Sequence, residues 1–297
     1  SETGAASKRY TWEEGVGLML GAFDERYPAL AEFSREMLAT GGVESEVRQG
    51  KRPGAFCTTS LKTRTSRVFM SYGGSIGDVQ TLAHELGHAF HSRILKGMRP
   101  MAARYPMTLA ETASTYAERM LQDAVLSSGD TDRGVRLAML TARLNDATTF
   151  LCDIHMRYEF EKAFYEERAK GMVPVSRLKQ LMCEAQERCF GSILEKGDMD
   201  LLFWASKLHF YITGLSFYNY PYTFGYLLSL GLAARTSEQG SEFLSRYENF
   251  LTLTGSHTAE DAVQRSIGVD LGGETFWRDS IGLIAHDLET FKALVSP

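Results

Sequence analysis

Leu82-Ala83-His84-Glu85-Leu86-Gly87-His88-Ala89-Phe90-His91 is the stretch on which the reading of this chain turns. Apolar residues recur through Val79 to Leu95 at helical spacing, which predicts a helix with Asp78 as N-cap and Gly97 as its stop. At about 100° per residue, His84 and His88 project ~40° apart, so both imidazoles can bind one ion. Glu85 lies about 100° round the same helix, beside such an ion. A carboxylate there can take a proton from a water activated at the metal and later deliver it to a leaving amine. At this composition about 0.01 chance matches to the His-Glu-x-x-His pattern are expected, so two surface histidines flanking a glutamate are a weak competitor.

A catalytic zinc site takes a third protein ligand and keeps a fourth position open. The extension that would supply a histidine at 94 fails, because 91 is His and 94 is Ile. Glu111 is the best candidate, in Leu109-Ala110-Glu111-Thr112-Ala113-Ser114-Thr115-Tyr116-Ala117-Glu118. A helix is expected over Thr108 to Leu126, and the connection from Gly97 to Met107 leaves room for it to turn back against the first. Glu118, seven residues on, returns to within about 20° of the same face and can hold the free ring N–H of a ligating histidine. Thr108-Leu109-Ala110-Glu111 also reads as a capping box, in which Glu111 would merely cap its helix.

Working outward, a Thr11-Trp12-Glu13-Glu14 capping box opens an N-terminal helix, and a second follows Pro28 toward Leu38. Ala55 to Thr59 and Arg67 to Tyr72, bounded by Pro53-Gly54 and Gly73-Gly74, predict a small antiparallel sheet. Asp132 to Lys170 reads as one long helix or two in succession, and the remainder as mostly helical with breaks near Gly171, Gly197, Pro221, Gly255 and Gly272-Gly273. No internal repeat or linker divides the chain, so residues 1–297 are expected to form a single domain. The fold class expected is mainly α, with a small antiparallel β-sheet next to the metal-binding helix.

The composition narrows the chemistry. With 297 residues, 44% of them hydrophobic and 23% charged, the chain is an ordinary globular one with a sizeable core. A net charge of -5 gives no footprint for nucleic acid or an anionic membrane. Four cysteines without a C-x-x-C pair suggest a reducing compartment, and with no membrane-spanning run or signal-peptide core the expected location is cytoplasmic. The absence of an initiating Met suggests a processed or excised fragment. Lys51 and Arg52 are expected in a solvated turn, the alternative being that they orient an acidic group of a substrate.

One further block is conspicuous: Trp204 to Tyr226 holds His209, Tyr211, Tyr218, Tyr220, Tyr222 and Tyr226. Phenols donate hydrogen bonds to developing oxyanions, although half-buried aromatic packing is an equally good account of any one of them.

Taken in order, Gly50-Lys51-Arg52-Pro53-Gly54-Ala55, the block from Leu82 to His91, Leu109-Ala110-Glu111-Thr112-Ala113-Ser114, and His209-Phe210-Tyr211 followed by Phe217-Tyr218-Asn219-Tyr220 resemble oligoendopeptidase F, of the thimet-oligopeptidase-like zinc metallopeptidases. The resemblance runs from about Tyr10 to the C-terminus. It implies a mainly helical catalytic lobe, one zinc ion per chain held by His84, His88 and Glu111, and Glu85 as general base and acid. It implies that His209 contacts substrate and that Tyr218, with either Tyr220 or Tyr222, faces the oxyanion; Tyr218 and Tyr222 are favoured. Tyr211 and Tyr220 are further substrate-binding candidates, and Phe69, Met70, Ser71 and Tyr72 match the strand along which relatives lay the peptide backbone. Full-length relatives carry an N-terminal helical region for which no counterpart is found here, so the chain is expected to be an excised catalytic domain or a short member. The partners expected are short peptides, with no nucleic acid and no membrane; a missing N-terminal region of the same protein is a further candidate partner, and the oligomeric state stays open. Two alternatives accompany this reading: a zinc exopeptidase with the same ligands, and a non-catalytic, zinc-containing peptide-binding module.

Overall fold

The computed structural model describes residues 8–51, 54–129, 131–195 and 197–296. Arg52 therefore lies outside the described residues. The described residues form two compact units, one built from the chain up to Arg143 together with the segment from Gly225 onward, the other from Leu144 to Phe224.

The first unit opens with α1 (Trp12–Arg26) and α2 (Pro28–Ala39). The expected capping box forms: Thr11 Oγ1 accepts from the Glu14 N–H, and the Glu14 carboxylate accepts from the Thr11 N–H. Pro28 starts α2 at the position where a missing N–H costs nothing. Three strands follow, β1 (Val43–Glu44), β2 (Ala55–Thr59) and β3 (Ser66–Met70), in the spatial order β1-β3-β2. The β2–β3 pair is antiparallel, as the sequence implies, with Phe56 opposite Phe69 and Cys57 opposite Val68. The two residues of β1 pair parallel to Val68 and Phe69, so β3 is the central strand.

That third strand brings a correction. Lys51 is no solvated residue: its side chain is 1% exposed, and its ammonium reaches the carbonyls of Met70 (2.5 Å), Glu46 (2.7 Å) and Glu44 (3.4 Å) and the Glu44 carboxylate (3.2 Å). It also lies over the Phe69 ring, 4.4 Å from its centre. The residue closes the open end of the sheet.

Next comes α3 (Ile76–Ile94), starting three residues before the expected point. Ser75 is the N-cap, accepting from the Asp78 N–H, and Asp78 closes the box from the N3 position. After α4 (Met107–Ala110), α5 (Thr112–Ser127) runs back along α3, and the two approach closely at Gly87. A Cβ there would sit 2.6 Å from the Ala113 carbonyl oxygen and 2.7 Å from the Ser114 Cα. Only glycine allows this approach.

The unit continues with the first part of α6 (Arg133–Thr148), and after the second unit with α10 (Tyr220–Gln239) from Gly225 onward, α11 (Glu242–Leu253), α12 (Ala259–Ile267) and α13 (Thr275–Val295). Its core centres on Tyr27, whose ring meets Phe90, Tyr116 and Tyr247 edge-on at 5.3–6.2 Å. Each fully buried ring of this kind contributes about 1.5–3 kcal/mol through lost apolar hydration.

In the second unit a π-helical turn over Thr149–Asp153 joins the end of α6 to α7 (Ile154–Arg168), which accounts for the continuous pattern from Asp132 to Lys170. A Gly171 break leads to α8 (Val175–Phe190), then to the short α9 (Phe203–Ser206) and the start of α10. Pro221 sits in the first turn of α10, so it opens that helix rather than interrupting one. Met156, Phe160, Leu181, Met182 and Ala185 form this unit's core between α7 and α8. No helix among the described residues is long and apolar enough to cross a membrane.

Candidate metal centre

His84, Glu85 and His88 project from the middle of α3, while Glu111 sits at the bend between α4 and α5. The bend settles the competing reading of Glu111. Neither α4 nor α5 has a side-chain N-cap, and Glu111 is itself the N-cap residue of α5 in a helical conformation (φ -92°, ψ 0°). Its carboxylate is turned instead toward the histidines, with Oε2 3.3 Å from His84 Nε2 and 3.4 Å from His88 Nε2. Ser114 Oγ donates to the same oxygen at 3.0 Å.

The two Nε2 atoms are 3.1 Å apart. Donors at about 2.0–2.1 Å from a tetrahedral zinc ion must be about 3.3–3.4 Å from one another, so separations of 3.1, 3.3 and 3.4 Å suit that ion. These three residues are the cluster of potential ligands found among the described residues. Glu118, one helical repeat along α5, meets His84 Nδ1 at 2.5 Å. That contact places the ring proton on Nδ1 and leaves the Nε2 lone pair facing the cluster.

The same carboxylates that would balance a metal ion also favour a proton on His84, which a metal bound at Nε2 would displace. Burial opposes a charge on His84, but the carboxylates of Glu111 and Glu118 outweigh it and raise the imidazole to about 10. For Glu111 burial acts upward and the two histidines prevail, drawing it well below the usual carboxylate range. Glu85 goes the other way. It is 5% exposed, burial raises its carboxyl despite the pull of His84 and His88, and its Oε2 has no hydrogen-bond partner among the described residues. A buried carboxyl raised above its ordinary value and left with one oxygen unpartnered is suited to moving protons.

A cavity of about 730 Å³ opens over the cluster. His84, Glu85, His88 and Glu111 form its floor, the whole of β2 forms one side, and Arg64, Arg104 and Tyr105 line it farther out. Phe69 to Tyr72, expected to match the strand along which relatives lay the peptide backbone, have no free edge over their strand portion. Phe69 and Met70 belong to β3, paired on one side to β2 and at Phe69 to β1 on the other, the Met70 carbonyl accepts from Lys51, and the Tyr72 N–H donates to the Ser45 carbonyl. The edge strand that faces the cavity is β2. His91, three residues beyond His88, is no ligand: it is fully buried, bonded to Thr254 Oγ1 at 2.8 Å, stacked on Tyr105 at 4.2 Å, and pushed down by burial to about 3.

The tyrosine block belongs to the second unit except for Tyr226, which lies in the first. In the second unit the His209 ring stacks on Tyr218 at 4.4 Å, and the Tyr222 hydroxyl donates to that of Tyr218 at 3.1 Å. Of the favoured pair and its rival, Tyr218 and Tyr222 thus share a hydrogen bond, whereas Tyr220 is 42% exposed and packs on Tyr158. Tyr211 is also exposed. Arg64, Arg104 and Tyr105 at the cavity wall gave no sequence signal, being isolated residues in loops, although the positive φ of Arg64 (54°) marks a conformation that non-glycine residues rarely hold.

With the donor set, the orienting Glu118 and the poised Glu85 described, the class of molecule is a mononuclear metallopeptidase-type centre on a helical scaffold. Residues 23–282 match Peptidase family M3, and the chain belongs to that family. It is similar to a plasmid-borne oligoendopeptidase F of Lactococcus lactis subsp. cremoris, 26% identical over 97% of this chain and 47% of that protein. A solved structure from Chlamydophila abortus superposes with a TM-score of 0.85 at 25% identity, over 98% of this chain and 48% of that one. Oligoendopeptidase-F from Enterococcus faecium shares the fold at a TM-score of 0.60 and 21% identity, over 97% and 53%. The chain spans about half the length of the curated relatives it matches.

Proposed function

We propose that this chain is the zinc-dependent catalytic domain of an oligopeptidase that hydrolyses internal bonds of short peptides. The observation that carries the reading is the set of three donor atoms 3.1–3.4 Å apart on His84, His88 and Glu111, with Glu85 unpartnered beside them. One bound zinc ion would supply Lewis acidity toward the scissile carbonyl and acidify a water at neutral pH. Glu85 takes the proton that the attacking water loses and returns it to the departing amine. Glu118 keeps His84 in the tautomer that ligates. The free edge of β2 receives the substrate backbone as an added strand, which brings a peptide bond over the floor of the cavity.

His209, Tyr218 and Tyr222 are proposed to contact substrate and stabilise the oxyanion; the hydroxyl pair Tyr218–Tyr222 supports that choice over Tyr220. The test is cleavage of an internally quenched, end-blocked oligopeptide with and without a zinc chelator. Chelator-sensitive internal cleavage is expected, and Glu85→Gln should keep zinc and lose turnover. Cleavage confined to peptides with a free terminus would replace this reading by an exopeptidase, and zinc-loaded protein that binds peptide without cleaving it would leave only a binding module.

A further inference from the structure

A second, smaller cavity of about 170 Å³ lies wholly within the second unit. Its wall is aromatic, with Phe160, Phe164 and Tyr165 from α7 and Trp204, Phe210 and Tyr211 from the segment after α8. Amid these rings stands one charged side chain, Glu161, which is 5% exposed. Its Oε1 accepts the Phe217 N–H at 2.7 Å. Its Oε2 is buried without a hydrogen-bond partner among the described residues. Burial raises the carboxyl above its ordinary value, with the Phe217 N–H offsetting part of the rise.

Leaving a buried carboxylate oxygen unpaired is costly, so a fold retains one only where something compensates. The backbone around it is also strained. Phe217 has φ +55°, a left-handed conformation unfavourable for an aromatic residue, and it is held there by ring contacts to Tyr158 at 5.7 Å and Tyr165 at 5.4 Å. The strained residue is the one that anchors Glu161, so the carboxylate is positioned rather than left over.

Aromatic walls around a single negative charge are the chemistry that recognises organic cations, because ring faces attract a cation and a carboxylate accepts its N–H groups. The volume equals that of five or six waters at about 30 Å³ each, room for a four-carbon chain and an ammonium head. We propose that this cavity binds a primary ammonium group on an aliphatic stem, the ammonium pairing with Glu161 Oε2 and the stem lying among the rings. On the peptidase reading above, the group is carried by the peptide substrate, as a lysine side chain or as a free N-terminus, and the cavity sets a preference for it.

Binding can be read without any turnover. Calorimetric titration of the intact chain with Nα-acetyl-lysine N-methylamide, norleucine N-methylamide and Nα-acetyl-norleucine N-methylamide separates the two sources, since the first carries only the side-chain ammonium, the second only the α-ammonium and the third neither. Saturable binding of one of the charged probes, at least tenfold tighter than the neutral one, is expected. Glu161→Gln, whose amide oxygen can still accept from Phe217, should abolish that margin; Phe164→Leu, which keeps bulk but removes a ring face, should weaken it several-fold. Equal affinity for charged and neutral probes, or a margin that survives Glu161→Gln in protein of unchanged circular dichroism, overturns the proposal. In a cleavage assay the kcat/KM ratio for lysine over norleucine at one substrate position should fall toward unity in Glu161→Gln. A protein that binds the probe yet cleaves nothing would refute the peptidase reading and leave this site standing.

Discussion

Helix α5 carries two neighbouring residues, Glu118 and Arg119, that belong to polar clusters of opposite character. Arg119 faces a network that closes on itself: it pairs with Asp123 and Asp287 at 2.9 Å each, and Arg143 reaches the same two carboxylates at 2.5 and 3.0 Å and Gln122 at 2.7 Å. Two cations meet two anions, and the cluster ties α5 and α6 to α13. Glu118 faces the other way, into His84, beyond which two ring nitrogens and a carboxylate oxygen converge to within 3.1–3.4 Å of one another. The first cluster sets cations against anions, whereas the second sets three potential metal donors against one another, an arrangement that a bound cation would relieve.

Substitutions at the two clusters should have separable effects. The largest effect is expected at Glu85. Glu85→Gln should lower kcat about 10²–10⁴-fold while zinc content and melting temperature stay put, checked by metal analysis beside turnover. Glu111→Gln should instead empty the site of zinc, whereas loss of a helix cap would cost only about 1 kcal/mol of stability with zinc retained.

In the closed network the sign of the effect is reversed. Asp287→Ala strands two buried guanidiniums and should cost about 3–5 kcal/mol in chemical denaturation, leaving zinc stoichiometry unchanged. If zinc falls while stability holds, the two clusters are not separate. Glu118→Gln should weaken zinc about 10–100-fold without a comparable loss of fold stability. Gly87→Ala forces α5 away from α3 and should cost about 1–3 kcal/mol, with weaker zinc binding as a secondary effect.

The smallest effect is in the acid limb. Burial works against the ionised Asp123, but Arg119 and Arg143 outweigh it and hold its carboxyl below the ordinary 3.8. Its contribution is therefore complete above that value and is lost as pH falls through the lower, folded-state value. Stability measured from pH 6 downward should drop less steeply in Asp123→Asn than in the unaltered chain.

Much of the metal centre could be read from the residues because helical phase is a local property. His84, His88 and Glu85 need only the 3.6-residue turn, and Glu111 and Glu118 need only a second helix at seven-residue spacing. The close approach of the helices also has a local sign, the glycine inside His-Glu-Leu-Gly-His. Part of what escaped depended on distant partners, and part on local choices that the spacing left open. Val43–Glu44 is too short to look like a strand, yet it fills one side of β3 and shifts the free edge to β2. Asp78 suits an N-cap or an N3 position equally, and only Ser75 decides between them. Glu161 reads as an ordinary acid on an amphipathic helix, because three of the six rings around it, Trp204, Phe210 and Tyr211, come from residues 43 to 50 positions later. Tyr218 and Tyr222 were separable from Tyr220 in principle, since four-residue spacing within or beside a helix brings hydroxyls together and two-residue spacing does not.

Lys51 acts as a tethered counterpart of a structural ion. Three carbonyl oxygens, a carboxylate and a ring face surround its ammonium as ligands surround a bound monovalent cation, but the charge is attached to the chain and cannot be chelated away or diluted out. Lys51 beside the candidate substrate strand is thereby fastened independently of any metal at the cavity floor. In mild labelling of the native chain with an amine-reactive reagent, Lys51 should stay unmodified long after the exposed lysines have reacted, and should react at the ordinary rate once the sheet has opened.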